Sequence, residues 1–220
     1  MRSIWLGMAV IVACVVFSTP VADAAVVFGY QVNSSPEQGR VIYDGSSLTM
    51  QSAGTTVDFA ATNEQNGQSF TYAGASISLD AQLVDSQSVN AAGTLKQFDG
   101  SLAFEDSSGD SIVSYTFEGA TLVLPTNASS AALTWSSSVT PGTITSGSAL
   151  DDELLDPGLY LTSPADFGFS LTGISPAGDP DGFTARTSFS GQATVIPEPT
   201  SAALLGLAAT AMLRRRRRKA

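Results

Sequence analysis

The chain has 220 residues, with 20 acidic and 10 basic side chains and a formal net charge of −10 at pH 7. It contains no histidine and a single cysteine, which excludes Ser-His-Asp triads, histidine-ligated zinc sites and CxxC redox motifs, because each needs side chains that the chain lacks. The acidic balance also disfavours nucleic acid as a partner, since like charges repel.

Residues 1–24 have the pattern of a secretory signal peptide. Arg2 precedes an uncharged apolar run of 14 residues at 4–17, and Ala22, Asp23 and Ala24 form the A-x-A pattern that signal peptidase recognises. The pattern predicts cleavage between Ala24 and Ala25. A permanent transmembrane anchor is the less favoured interpretation, because a membrane span needs about 20 apolar residues.

The only cysteine, Cys14, lies inside this predicted signal peptide. An alternative interpretation of residues 11–14 is a lipoprotein signal that ends in a lipidated cysteine. Cleavage after Ala24 would leave an exported chain without disulfides, so its stability must come from a buried core. Residues 25–195 are numerous enough to form one such domain.

Polar and apolar residues of this domain alternate with a period of two, which is typical of strands buried on one face. The longest alternation is at 183–195, where Phe183, Phe189 and Val195 share one face. The other predicted strands, in chain order, are 26–32, 40–43, 47–51, 55–61, 69–72, 77–84, 102–105, 113–118, 121–124, 131–136 and 166–172.

Turn-forming dipeptides separate these segments. They are Asp44-Gly45, Asn66-Gly67, Asp99-Gly100, Ser108-Gly109, Pro141-Gly142, Pro157-Gly158 and Asp181-Gly182. The segment nearest to a helical period is 149–155, which Pro157 would end. Short strands with regular turns predict an all-β fold, an antiparallel β-sandwich or jelly-roll-like ectodomain of about ten to twelve strands. A parallel β-helix is the alternative, although no fixed repeat period supports it.

Three acidic segments are candidate calcium sites, because hard oxygen ligands suit Ca²⁺. The candidate ligands are Glu105, Asp106 and Asp110 in one loop, Asp179 and Asp181 in a second, and Asp151, Asp152, Glu153 and Asp156 in a third. None of the three matches an EF-hand loop. The alternative interpretation is a set of solvated turns, in which Asp, Ser and Gly are the ordinary residues.

Trp135 is the one tryptophan after the predicted signal peptide. A tryptophan of the core is the favoured interpretation, and an exposed indole that serves as a platform for a sugar ring is the alternative. Catalysis by a pair of carboxylates, as in glycosidases, remains open because the domain has 18 acidic residues, but no pair stands out. An ice-binding face would need regular threonine arrays, whereas only isolated pairs such as Thr143 and Thr145 occur.

The C-terminal residues 196–220 have a different composition. Residues 201–213 are uncharged and predict a short hydrophobic helix of about 20 Å, which is less than the ~30 Å of a bilayer core. A basic cluster follows, and the positive-inside rule predicts that it stops transfer on the cytoplasmic side. The cluster consists of Arg214, Arg215, Arg216, Arg217, Arg218 and Lys219. A nuclear-localisation signal is disfavoured because a predicted signal peptide opens the chain.

Pro197, Glu198 and Pro199, followed by an apolar segment and a terminal arginine cluster, resemble the PEP-CTERM sorting signal of exported bacterial proteins. The resemblance covers residues 195–220. It implies that these three residues are recognised by an exosortase, a membrane-embedded cysteine protease that cuts near the motif. Both prolines disfavour helix, which suits an extended peptide in a protease. Members of this family tend to occur in Gram-negative bacteria that make exopolysaccharide and biofilm matrix.

The expected function is therefore that of an exported, non-enzymatic protein of the cell surface or extracellular matrix, structural or adhesive in an exopolysaccharide context. A calcium-assisted carbohydrate-binding module is the second hypothesis, and a carboxylate-based glycosidase is a distant third. The expected partners are signal peptidase, an exosortase-type protease and exopolysaccharide, with no nucleic acid. The tail is expected to lie first in the inner membrane, and the domain to reach the cell envelope, the cell surface or the medium.

Overall fold

The computed structural model describes residues 24–30, 40–50, 56–89, 93–155 and 159–197. Within these residues the chain forms eleven strands and one short helix, α1 (Ser148–Glu153). The strands are β1 (Ala24–Tyr30), β2 (Arg40–Tyr43), β3 (Ser47–Met50), β4 (Thr56–Asn63), β5 (Gln68–Ser88), β6 (Thr94–Glu105), β7 (Ser111–Leu124), β8 (Ser130–Ser136), β9 (Gly142–Ser146), β10 (Leu159–Ser175) and β11 (Phe183–Pro197).

The strands follow the alternation of the sequence. In β11 the side chains of Phe183, Phe189 and Val195 are buried, and the polar residues between them are mostly exposed or half-buried. The buried Thr187 is an exception, and a hydrogen bond of 2.6 Å joins its hydroxyl to that of Tyr30. One apolar face per strand requires a second layer to cover it, which produces a sandwich-like fold around a single core. The all-β prediction is confirmed.

All strand pairings in the described chain are antiparallel. The order of paired neighbours is β1-β4-β5-β3-β2-β11-β10-β8-β7-β6, with β9 beside β7. Two further pairings, β1 with β11 and β5 with β6, join strands that are not neighbours in this order. The layers are therefore parts of one continuous sheet that folds over its core. The parallel β-helix alternative is wrong.

Several strands are longer than the sequence pattern predicts. β5 joins the predicted strands 69–72 and 77–84, and β7 joins 113–118 and 121–124. Register shifts lie within both strands, and in β5 one of them lies between Tyr72 and Ala75, opposite Val57 and Phe59 of β4. A β-bulge interrupts the alternation of buried and exposed residues while the strand continues. The sequence pattern therefore predicts two strands where the structure has one. The short β9 was not predicted, and α1 lies within the segment nearest to a helical period.

The Asp99-Gly100 pair is not a turn, and this prediction is wrong. It lies inside β6 at a register shift between Phe98 and Gly100. The carboxylate of Asp99 accepts a 2.7 Å hydrogen bond from the backbone N–H of Gly119 on β7, which fixes the bulge from the neighbouring strand. The Asp99-Gly100 pair therefore lies at a β-bulge, where the backbone of β5 approaches Gly100 closely.

A cluster of aromatic side chains occupies the middle of the core. Phe189 packs with its ring centroid 4.8 Å from that of Phe104 and 5.2 Å from that of Phe169. Phe59 lies 4.4 Å from Phe104 on the same measure. These rings come from strands far apart in sequence, so the cluster ties both halves of the folded sheet together.

The two ends of the domain meet at one pole. Ala24 of β1 pairs with Val195 of β11, and β11 continues to Pro197, opposite Leu159 of β10. The predicted domain end at residue 195 is therefore two residues short of the end of this strand. Residues 1–23 of the predicted signal peptide and the predicted C-terminal helix lie outside the described residues. Within the described part of the chain, no helix has the length and apolarity that a membrane crossing requires.

Candidate functional site

An open groove with a volume of about 430 Å³ crosses the outer face of β1, β11, β10 and β8. We call it the outer groove, and its outward-facing residues are Val27, Thr134, Asp166, Gly168, Ser190 and Gln192. The antiparallel register places them in two adjacent rows. One row joins Asp166, Gln192 and Val27, and the other joins Thr134, Gly168 and Ser190. The site therefore depends on the pairing of four strands.

The polar groups of the outer groove differ in what they already bind. The side-chain amide of Gln192 donates a 2.8 Å hydrogen bond to Oδ2 of Asp166, which fixes both side chains. The hydroxyls of Thr134 and Ser190 have no hydrogen-bond partner among the described residues. The groove thus offers a held carboxylate and amide beside two free hydroxyls, a set suited to a hydroxyl-rich ligand.

Gly168 lies at the centre of the groove without a steric reason in the fold itself. Its φ is outside the left-handed region, and a Cβ built there would be 3.9 Å from Oγ of Ser190 and from Cγ2 of Thr134. These are ordinary van der Waals distances. A glycine within a strand weakens it, because it packs no side chain and loses more backbone entropy. What Gly168 provides is the open space of the groove.

Trp135 lies in the core, as the favoured interpretation predicts, and the alternative of an exposed platform is wrong. Its side chain is 4 % exposed, and its indole N–H donates to the carbonyl of Pro141 at 3.3 Å. The ring packs on Phe167 at a centroid distance of 5.5 Å and stands edge-on to Tyr115. Trp135 is in phase with the buried Leu133 on β8, so it faces the core beneath the groove.

Tyr115 lies under the groove floor with its hydroxyl unpaired within the described chain. The hydroxyl oxygen is 3.0 Å from the place that a Cβ on Gly191 would take. Burial raises the pKa of Tyr115 well above its ordinary value, and the carboxylate of Asp166 raises it further. Glycine at 191 is therefore a requirement of this core, which distinguishes it from Gly168.

We expect the free energy of unfolding to be constant from pH 8 to 9 and to fall as the pH rises above about 10. Burial raises the pKa values of Tyr30, Tyr72 and Tyr115 in the folded protein. Unfolded tyrosines lose their protons near pH 10, whereas the folded ones stay protonated, so alkaline pH favours the unfolded chain. Urea unfolding at several pH values measures the effect.

The Tyr115→Phe variant is the control for this expectation. It should be about 1 kcal/mol more stable than the wild type at pH 8, because an unpaired buried hydroxyl is removed. It should also lose less stability between pH 9 and pH 11, since one of the three titrating groups is gone. Equal alkaline slopes for the two proteins would contradict the role given to Tyr115.

The candidate calcium ligands do not form a metal site in the described residues. No three acidic side chains come together in a group able to hold an ion. Oδ1 of Asp106 accepts hydrogen bonds from the backbone N–H groups of Ser108 and Asp110, at 2.8 and 2.9 Å, and Asp179 accepts one from that of Asp181. These carboxylates stabilise their own turns. Glu105 ends β6 beside the first turn, and Asp156 lies outside the described residues.

Two of the acidic segments nevertheless approach one side chain. The hydroxyl of Tyr72 donates a 3.0 Å hydrogen bond to the carbonyl of Ala149 in the first turn of α1. Burial raises the pKa of Tyr72, and the carboxylates of Glu153, Asp106 and Asp151 add to this increase. The first and third acidic segments therefore lie at the same end of the domain, close enough to Tyr72 for their carboxylates to act on its phenol.

The buried Lys96 was not predicted as a notable residue. It is 4 % exposed, and its ammonium group donates to the hydroxyl of Tyr43 at 3.0 Å and to that of Ser86 at 3.4 Å. It also lies 4.9 Å from the centre of the Tyr43 ring, within range of a cation–π interaction. Lys96 is two residues from the buried Phe98 on β6, so the alternation along this strand predicts that the side chain of Lys96 points inward.

The structure describes few of the predicted sorting residues. Ala24 and Ala25 begin β1, and Pro197 ends β11. Ala22, Glu198, Pro199 and the basic cluster from Arg214 to Lys219 lie outside the described residues. Comparison with protein-family models, curated proteins and solved structures gave no match.

Proposed function

We propose that the protein is an exported surface or extracellular-matrix protein, structural or adhesive in an exopolysaccharide context, whose folded domain is held by its C-terminal tail until an exosortase-type protease acts. The observation that carries the proposal is the pairing of β1 with β11. Ala25, the predicted new N-terminus, lies opposite Thr194, and Pro197 follows three residues later. Ala25 and Pro197, the described residues nearest to the two predicted processing points, thus lie at one pole of the domain, which supports the proposal.

This arrangement suits a domain that is processed at a membrane surface. A strand that pairs along its whole length protects its peptide bonds, because a protease binds its substrate as an extended, unpaired segment. β11 is paired with β10 as far as Pro197. We therefore expect the protease to cut after Pro197, beyond the paired part of β11.

Binding is favoured over catalysis by the composition of the outer groove. A glycosidase needs two carboxyl groups about 5 to 9.5 Å apart. Asp166 is the single acidic residue among those that line the groove. The chain also has no histidine and no cysteine beyond residue 14, so the common nucleophile and base pairs are missing from the sequence. A passive or binding role is the simpler proposal.

The test is to follow the full-length chain, tagged in the exposed turn at Val139, in a bacterium with and without an active exosortase. Val139 is 83 % exposed, so an inserted epitope should not disturb the core. We expect the mature N-terminus at Ala25 in both strains. We expect a shortened chain at the surface or in the medium only where the protease is active, and a membrane-held chain where it is not.

A variant with alanine at Pro197, Glu198 and Pro199 serves as the matched control. It should keep the N-terminus at Ala25 and remain in the membrane fraction even when the protease is present. An uncleaved N-terminus with the protein in the cytoplasm would contradict export. A variant processed like the wild type would contradict the sorting role of the motif and leave export intact.

A further inference from the structure

We propose that the outer groove binds a segment of an uncharged polysaccharide. This inference deepens the function proposed above, because it rests on the protein reaching a glycan-containing surface or matrix, and it names the ligand class of one site. The first supporting observation is Gly168, a glycine that no local requirement of the fold explains.

Gly168 leaves an open space in the middle of the outer groove. A side chain there would meet only van der Waals neighbours within the sheet, so the fold itself would accept one. Instead the strand has a glycine with Thr134 and Ser190 directly on either side in the same row. The resulting volume of about 430 Å³ lies in the range of small-ligand sites. A Cβ and its substituents at position 168 would fill the middle of it.

The polar groups around this space suit sugar hydroxyls. The carboxylate of Asp166 is fixed through Oδ2 by Gln192, which leaves Oδ1 free to accept a hydrogen bond from a hydroxyl. The unpaired hydroxyls of Thr134 and Ser190 each donate and accept. Hydroxyl groups of a sugar are themselves donors and acceptors, so they satisfy all three sites together. The groove is open to solvent, which suits one stretch of a long chain better than an enclosed small molecule.

Charge decides between classes of glycan. Residues 25–195 contain 18 acidic and three basic side chains, a net charge of −15. Asp166 adds a negative charge inside the groove itself. A polymer of uronates or sulfated sugars would be repelled as it approached. A cationic polymer would be attracted to the whole acidic surface, with no dependence on the groove. An uncharged chain is the ligand whose binding depends on the shape and hydroxyls of this site.

The test uses the full-length protein in mild detergent and the exopolysaccharide of its source organism, separated by anion exchange into an uncharged and an anionic pool. Co-sedimentation and affinity electrophoresis with each pool measure binding. At high salt we expect retention by the uncharged pool and none by the anionic pool, because salt screens the attraction of anionic polymers to the basic cluster at 214–219. Failure to bind the uncharged pool overturns the proposal, as does binding to the anionic pool alone. Neither result affects the test of the proposed function, because export and processing are measured in a separate experiment.

The variant that fills the groove is Gly168→Val. We expect at least a tenfold loss of affinity for the uncharged pool, with a melting temperature equal to or above that of the wild type, because a β-branched residue suits a strand. The matched control is Ser170→Val, two residues further along the same face of β10 and outside the groove. It should bind like the wild type. Equal binding by both variants would overturn the assignment to this groove.

Discussion

Replacement of Gly100 by alanine is expected to destabilise the fold by about 3 kcal/mol or more. A Cβ at this position would collide with the backbone carbonyl oxygen of Asp80 and lie 2.6 Å from Cα of Ala81. Both atoms belong to β5, the strand paired with β6. Backbone atoms within a paired strand have little freedom to move, so the collision must separate the strands or reshape the bulge. Urea unfolding followed by tryptophan fluorescence measures the loss.

The matched control is Gly168→Ala, which adds the same methyl group to a strand glycine with free space around it. Its stability should equal or slightly exceed that of the wild type, since alanine loses less backbone entropy on folding. Equal stability of the two variants would show that the close approach of β5 to Gly100 does not constrain the fold. It would contradict the requirement for glycine at position 100.

Truncation of Phe189 to alanine is the second large effect, with an expected loss of about 3 to 5 kcal/mol. Phe189 is 4 % exposed, and its ring packs against Tyr30, Phe104 and Phe169 from three other strands. Removing the ring leaves a cavity that these side chains cannot fill without leaving their own positions. The change in the free energy of unfolding in urea is the measurement.

Val123→Ala provides the comparison, because Val123 is 51 % exposed and lies on the outer face of β7. Its stability should change by less than about 0.5 kcal/mol. Similar losses for Phe189→Ala and Val123→Ala would show that the aromatic cluster does not hold the two layers together.

The fold class could be predicted from the sequence because it depends on local alternation. The pattern around Phe183 and Phe189 identifies β11 without knowledge of its neighbours, and the phase of Leu133 with Trp135 already contained the inward position of the indole. Strand ends were less predictable, since a bulge such as that between Phe117 and Ala120 of β7, opposite Asp99, interrupts the alternation without ending the strand. The same Asp-Gly pair suits either a turn or a bulge, and only the neighbouring strand decides.

The outer groove could not be predicted, because its residues meet only through register. Val27 and Gln192 are directly opposite each other although most of the chain lies between them. Nothing around Gly168 in the sequence distinguishes it from a glycine needed for a turn. Gly168 matters because it leaves the middle of the groove open. That opening also depends on the side chains of Thr134 and Ser190, which belong to other strands.

The position of β1 also determines when the domain can become complete. One edge of β1 pairs with β4, which follows soon after it, but the other edge pairs with β11, the last strand described. A chain that emerges N-terminus first therefore keeps one side of its first strand open until residues 183–197 have appeared. Contacts of such long sequence separation form late and slowly. A chain truncated before residue 183 would leave one edge of each of β1, β2 and β10 unpaired, and unpaired edges are open to proteolysis and aggregation.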